Sequence, residues 1–250
     1  MDAIHLFSNR HDYGGCMKVG IIQSSYIPWR GYFDFIDEVD LFVFLEDVQY
    51  SKGSWRNRNR IKTQNGLLWL TVPVHAKHGK IQIRDVRIDN SKKWVHQHAR
   101  TLEENYARAP YFRDYYVGFL NRLNTGFESL SALNITITRW LMQQLEIHTP
   151  TMISSELDPK GIATDRLIDI LVKLGANCYV SGPSAKNYLD ESKFRENGIR
   201  LEYKSYDYPD YPQLWGDFVS NVSILDLLFN MGPDARRFLK SRSPNEVAVP

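Results

Sequence analysis

An α/β fold with a parallel sheet is predicted by three features of this 250-residue sequence. The runs Val19–Ile22 and Leu41–Leu45 are continuously apolar, lacking the alternation of a half-exposed strand, so they read as central strands covered on both faces. Tyr32–Val39, between them, has the length of a short crossover helix and completes a βαβ unit. Further along, Leu167, Ile170, Leu171 and Leu174 form a helical stripe that Gly175 can end in a left-handed cap, and Cys178–Ser181 follows as a strand.

The remaining elements fill in around these. Leu67–Val74 and Ile81–Ile88 read as strands, joined as a hairpin through His75–Lys80. From Lys92 to Leu145 the period becomes helical, with Leu133, Ile137, Trp140, Leu141 and Leu145 on one face and breaks at Ala109-Pro110 and Asn124–Gly126. Ile199–Tyr203 is a further strand and Ser223–Asn230 the last helix, where Ser223 and Asp226 fit a capping box. The expected organisation is one domain over residues 17–240, a split sheet with a helical insertion at about 91–148. Met17, directly before the first strand, is the expected functional start, with residues 1–16 a disordered leader or a mis-assigned start and 241–250 a flexible tail.

Composition excludes several classes. A formal net charge of +2 is too small for bulk affinity to nucleic acid, so attraction for phosphate has to be local. The two cysteines, Cys16 and Cys178, cannot build a Cys-rich zinc site or a disulfide framework, which suits a reducing compartment. The seven histidines show no ligand spacing: His96 and His98 diverge on a helix, and His75 and His78 lack a third ligand, so no bound metal is expected. No apolar run approaches the roughly 18 residues of a membrane span. A cytoplasmic protein is expected.

The residues suited to a site cluster at predicted strand ends, where ligands bind in open α/β sheets. Gln23 ends the first strand and can donate to and accept from a base or amide. Tyr26-Ile27-Pro28-Trp29-Arg30-Gly31-Tyr32 is a constrained turn in which Pro28 fixes a dihedral, Gly31 permits close approach, and the next helix offers free N–H groups to an anion. Asp47, ending the second strand, could hold a ribose hydroxyl, a metal ion or a proton in transit; His98, with Trp94 and Tyr106 on one helical stretch, is a second acid–base candidate. Arg56, Arg58, Arg60 and Lys62 fall on one side of an extended segment, with Asn57 and Asn59 on the other. Two readings of that row compete: bidentate capture of a diphosphate, or a solvated edge strand balanced by Glu46 and Asp47. Trp55 and the interleaved asparagines favour the first. Gly182, Ser184 and Lys186 form a second binding turn, and Tyr211 with Gln213 a rigid loop presenting a ring and an amide.

The layout resembles the first loop of class I nucleotidyltransferases, with Trp29-Arg30-Gly31-Tyr32 where those enzymes carry His-x-Gly-His. That implies a Rossmann-like (nucleotidyltransferase-like) sheet, while the two missing imidazoles argue against ordinary adenylyl transfer. More specifically, Gln23–Phe33, Glu46–Tyr50, Trp55–Lys62, Tyr179–Gly182 and Ser223–Asp226 together resemble the WbqC-like protein family, in order along the chain from Met17 to about Gly232. Ser24 stands where the family pattern has proline, and Glu46 where it has aspartate. The resemblance implies a step in bacterial surface polysaccharide (O-antigen, lipopolysaccharide) biosynthesis on a nucleotide-activated or lipid-linked sugar, with the nucleotide as substrate. A transferase moving an acyl or aminoacyl group to an amino sugar is expected. The alternatives are a glycosyltransferase, for which no Asp-x-Asp motif is present, and a non-catalytic sugar-nucleotide binding or assembly protein.

Overall fold

β1 (Lys18–Ile22) and β2 (Leu41–Phe44) form from the two apolar runs and pair in parallel, Val19 opposite Leu41 and Ile22 opposite Phe44, with α1 (Arg30–Asp37) as the crossover. The structure is a computed structural model and describes residues 16–75 and 81–250. The leader expected before Cys16 and most of the expected 75–80 linker lie outside the described residues. Gly20 fits the close approach of α1: a Cβ there would sit 2.3 Å from the Phe35 ring, so the fully buried Phe35 packs directly on the strand backbone.

The next strands are β3 (Arg58–Thr63) and β4 (Gly66–Thr71), followed by β5 (Thr151–Ile153), β6 (Cys178–Ser181), β7 (Arg200–Tyr203) and β8 (Glu246–Val249). The remaining helices are α2 (Trp94–Tyr106), α3 (Phe112–Leu123), α4 (Leu130–Gln144), α5 (Ala163–Leu174), α6 (Glu191–Glu196) and α7 (Ile224–Met231). The result is a mixed α/β fold whose six-stranded sheet runs β5-β2-β1-β6-β7-β8, parallel throughout except for β8. Alternate strand residues feed two apolar clusters. Val19, Ile21, Leu41, Val43 and Tyr179 pack with Leu167, Ile170 and Leu171 of α5, whereas Phe42, Phe44 and Val180 pack with Phe35, with Leu133, Ile137 and Leu141 of α4, and with α7. Gly175 ends α5 at φ 65°, as its position predicts. Among the described residues no helix is long and apolar enough to cross a membrane.

Four expectations need correction. The hairpin is not 67–74 with 81–88; β4 pairs with the arginine-bearing β3, and Gln64 and Asn65 turn the chain before Gly66 at φ 104°. The overlooked signal is the Asn65-Gly66 dipeptide. Ile83–Asp85 is instead a single 3₁₀ turn, with Val74 and Ile88 meeting in an isolated bridge. The chain end is not a free tail, because Glu246–Val249 adds an antiparallel edge to β7 and buries Val249. Ser223 does cap α7 by accepting from the Leu225 N–H, but the other half of the expected capping box, Asp226, is fully buried and accepts from Tyr106, Tyr211 and Gln213.

Candidate functional site

The first parallel unit runs from β1 to β2 on one side, and the chain later returns to β6 on the other, so the strand order reverses between β1 and β6. Adjacent strands whose connections leave in opposite directions open a crevice at their carboxyl ends, where no helix can cross. A cavity of about 730 Å³ opens there, lined at its base by Ile22 and Gln23 after β1 and by Ser181, Gly182 and Ser184 after β6. The start of α5 adds Ala163, Arg166 and Leu167, the segment leading into β3 adds Trp55 and Arg56, and β3 itself adds Asn59 and Arg60.

The constrained turn divides its residues between cleft and support. Pro28, Trp29 and Tyr32 line the cleft. Ile27 takes φ 37°, an unfavourable conformation for a β-branched residue, and the buried Asn59 holds it there by donating to the Tyr26 and Ile27 carbonyls at 3.2 and 2.8 Å. Gly31 lies beneath the Trp29 indole, where a Cβ would come within 2.3 Å of the ring, so it sets the indole's position. Trp29 in turn meets Tyr206 edge-on at 5.0 Å, which gives the cleft an aromatic wall.

Arg56 is the central cation. Its Nη1 donates to the Gln23 side chain, while its Nε is buried with no partner among the described residues. Burial lowers the affinity of the guanidinium for its proton, opposed by Tyr32, Glu46 and Tyr50 nearby, yet no carboxylate pairs with it among the described residues. A half-buried guanidinium with spare donors in a cleft wall is a place for an anion. Arg60 also lines the cleft, with one donor 3.5 Å from the Asn221 carbonyl and its Nε likewise unpartnered. Arg166 is different: it pairs with Asp47, which also accepts from Ser154, so Asp47 stands behind the cleft and fixes the arginine that faces it.

The two positions that depart from the family pattern touch each other. Ser24 donates its N–H to Glu46 at 2.8 Å and its hydroxyl at 3.1 Å. Proline at 24 would have no N–H to give, so Ser24 and Glu46 work as one unit. Asn134 of α4 braces it, donating to the Ser24 hydroxyl at 3.3 Å and to the Arg56 carbonyl at 2.8 Å. Asn134, Arg166 and Tyr206 were not singled out from sequence; only Asn134 carries a signal there, as an amide among the apolar residues of α4.

Several predicted site residues lie elsewhere. Arg30 is buried, donates to the Pro209 and Phe238 carbonyls at 2.6 and 3.3 Å, and is enclosed by the rings of Tyr208, Tyr211 and Phe218. Tyr26 is fully buried against His98, 2.9 Å from hydroxyl to Nδ1, and His98 also meets the Thr71 carbonyl at 3.2 Å. That puts His98 in the layer behind the turn, where burial pushes its pKa down to about 4. The β3 row splits: Arg58 stacks on Trp69 outside the cleft lining, Asn57 turns inward to the Val72 carbonyl, and Lys62 is buried on Gln213 and the Gly216 and Asp217 carbonyls. Tyr211 and Gln213 point at Asp226, whose carboxyl is raised by burial against the donors around it, and Lys186 pairs with Glu246. Among the described residues no cluster of His, Cys, Asp and Glu is placed to hold a metal ion.

Comparison with known proteins agrees with the motif order. The model of the WbqC-like protein family matches residues 23–238. The chain is 46% identical over 231 residues to "Uncharacterized protein Rv1507c" of Mycobacterium tuberculosis (strain ATCC 25618 / H37Rv), covering 89% of this chain and 97% of that protein. No solved structure matches.

Proposed function

The chain belongs to the WbqC-like protein family, and from that premise we propose that it binds a nucleotide or nucleotide-activated sugar at a Rossmann-like switch point. The reading continues with transfer of an acyl or aminoacyl group to an amino sugar in bacterial surface polysaccharide (O-antigen) biosynthesis. The observation that carries it is Arg56, a half-buried arginine in the wall of a switch-point cleft whose buried Nε has no partner among the described residues and whose Nη1 meets only the Gln23 amide. Arg56 and Arg60 take the phosphates, Gln23 and the Ser181–Ser184 turn supply hydrogen bonds, and Trp29 with Tyr206 flanks a base or sugar ring. Asp47 serves as a positioning residue through Arg166 rather than as the group that takes the proton.

One observation favours a second reading, a non-catalytic sugar-nucleotide binding protein: among the described residues those lining the cleft include no carboxylate, imidazole or thiol. The reactions separate by experiment. Ligand bound only to the native state raises its stability, by about 2.7 kcal/mol at a hundredfold excess over Kd. Thermal melts with ATP, UDP-sugars and dTDP-sugars are expected to show a shift with at least one of them, and no shift with any removes the nucleotide site. Mass spectrometry of a shifting sugar nucleotide incubated with acyl donors, or with ATP and amino acids, then reads the reaction. Added acyl mass supports group transfer, loss of the nucleotide supports glycosyl transfer, and an unchanged ligand supports binding alone.

A further inference from the structure

The outer face of the β3–β4 hairpin is unlike the rest of the surface. Leu67, Leu68 and Trp69 are 40, 44 and 40% exposed, and Trp55 beside them is 43% exposed. Trp55 and Trp69 lie 5.3 Å apart between ring centroids, so the indoles form one patch next to the Leu pair at the turn end of the hairpin. Consecutive residues of a strand point to opposite faces, and here both Leu67 and Leu68 meet solvent, so neither face of this end is covered. Contiguous exposed apolar surface of this kind marks an interaction site.

The charge around the patch specifies its partner. Arg58 sits 4.3 Å over the Trp69 ring, and Arg60 sits 5.4 Å from both indoles. Exposed Lys52 lies close in sequence to Trp55. No acidic residue occurs between Val48 and Arg84, although the whole chain is nearly balanced in charge. Apolar side chains rimmed by cations, with indoles between the two, match the layering of an anionic bilayer: acyl boundary, interfacial zone and phosphates. A second copy of the chain fits less well, because a two-fold contact through this face would set the same cations against each other. Nucleic acid has no use for two exposed leucines.

We propose that the hairpin docks the protein on an anionic lipid bilayer surface, with Leu67, Leu68 and Trp69 entering the headgroup layer and Lys52 and Arg58 on lipid phosphates. Trp55 and Arg60 line both this patch and the cleft, so docking sets the cleft mouth at the membrane, within reach of a ligand held there. The inference is independent of what the cleft binds.

Flotation of the purified chain with phosphatidylcholine vesicles, with and without phosphatidylglycerol, tests it. Binding is expected to the mixed vesicles and to weaken as salt is raised. The Leu67→Ser/Leu68→Ser variant is expected to stay unbound while keeping the wild-type melting temperature and any nucleotide-induced shift. Lys52→Gln/Arg58→Gln is expected to weaken partitioning by at least about tenfold. Absence of flotation, equal flotation with pure phosphatidylcholine, or a serine variant that floats like wild type overturns the proposal. So does a concentration-dependent dimer in sedimentation that the serine variant abolishes, which assigns the face to a second copy. Displacement from vesicles by single-stranded RNA that also binds the serine variant assigns it to nucleic acid.

Discussion

Arg30, buried, and Arg56, half-buried, come from neighbouring motifs, and neither has an ion pair among the described residues, yet their surroundings differ. Around Arg30 the protein provides the acceptors, two backbone carbonyls, and three aromatic rings close the space. Around Arg56 a single side-chain amide accepts and the opposite side is open cleft. Both keep a buried Nε with no partner among the described residues; what separates support from site is whether carbonyls and aromatic rings or an open cleft surround the rest of the guanidinium. The same test divides the β3 row, where Lys62 is fully engaged with Gln213 and two carbonyls while Arg60 keeps an unpartnered Nε in the cleft wall.

The strongest way to break this contrast is Arg30→Ala. It leaves the Pro209 and Phe238 carbonyls short of a donor and a void between Tyr208, Tyr211 and Phe218, and is expected to lower unfolding free energy by about 3–5 kcal/mol in urea titration. A variant as stable as wild type that has lost ligand binding would move Arg30 into the site.

A change of pH probes the support layer further. Burial depresses His98 from 6.5 to about 4, so the folded state holds it neutral while the unfolded chain takes up a proton below 6.5. Its contribution is therefore fully present above pH 6.5 and is lost as pH falls toward about 4, by up to about 3 kcal/mol. Melts across that window are expected to show the loss, and His98→Gln to flatten it. An imidazole that titrates near 6.5 by NMR in the native state would place His98 in solvent instead.

Arg56→Gln sharpens the other side. Losing the cation in the cleft is expected to weaken a phosphate-bearing ligand by about 2 kcal/mol in calorimetry while changing unfolding free energy by less than about 1 kcal/mol. If the variant unfolds readily and binds normally, the roles of the two arginines are reversed.

These contrasts explain what was legible in the sequence. The β1 and β2 runs, the α4 stripe and the Gly175 cap are local patterns, and each appears where its spacing places it. Placing Gln23, Trp29, Gly182 and Ser184 on one cleft needed only the rule that loops after parallel strands share an end of the sheet, whereas Asn59 and Arg60 reach it from the separate β3–β4 hairpin. Arg30, Tyr211 and Gln213 were misread because their partners are remote in sequence: Pro209 and Phe238 for Arg30, and Asp226 for the other two. β5 and β8 are too short to show a period, and they form because β2 and β7 offer them an open edge. Arg166 sits at the start of an otherwise ordinary amphipathic helix, and only the fold brings it to Asp47.

The cleft wall is made of guanidinium, amide, hydroxyl and indole groups, none of which changes protonation near neutrality. Above the range in which His98 costs stability, capture of a ligand should then respond to acidity through the ligand's own phosphate, and the rate of any transfer through the acceptor's own amine. The acidity profile of this protein would report the identity of its substrates.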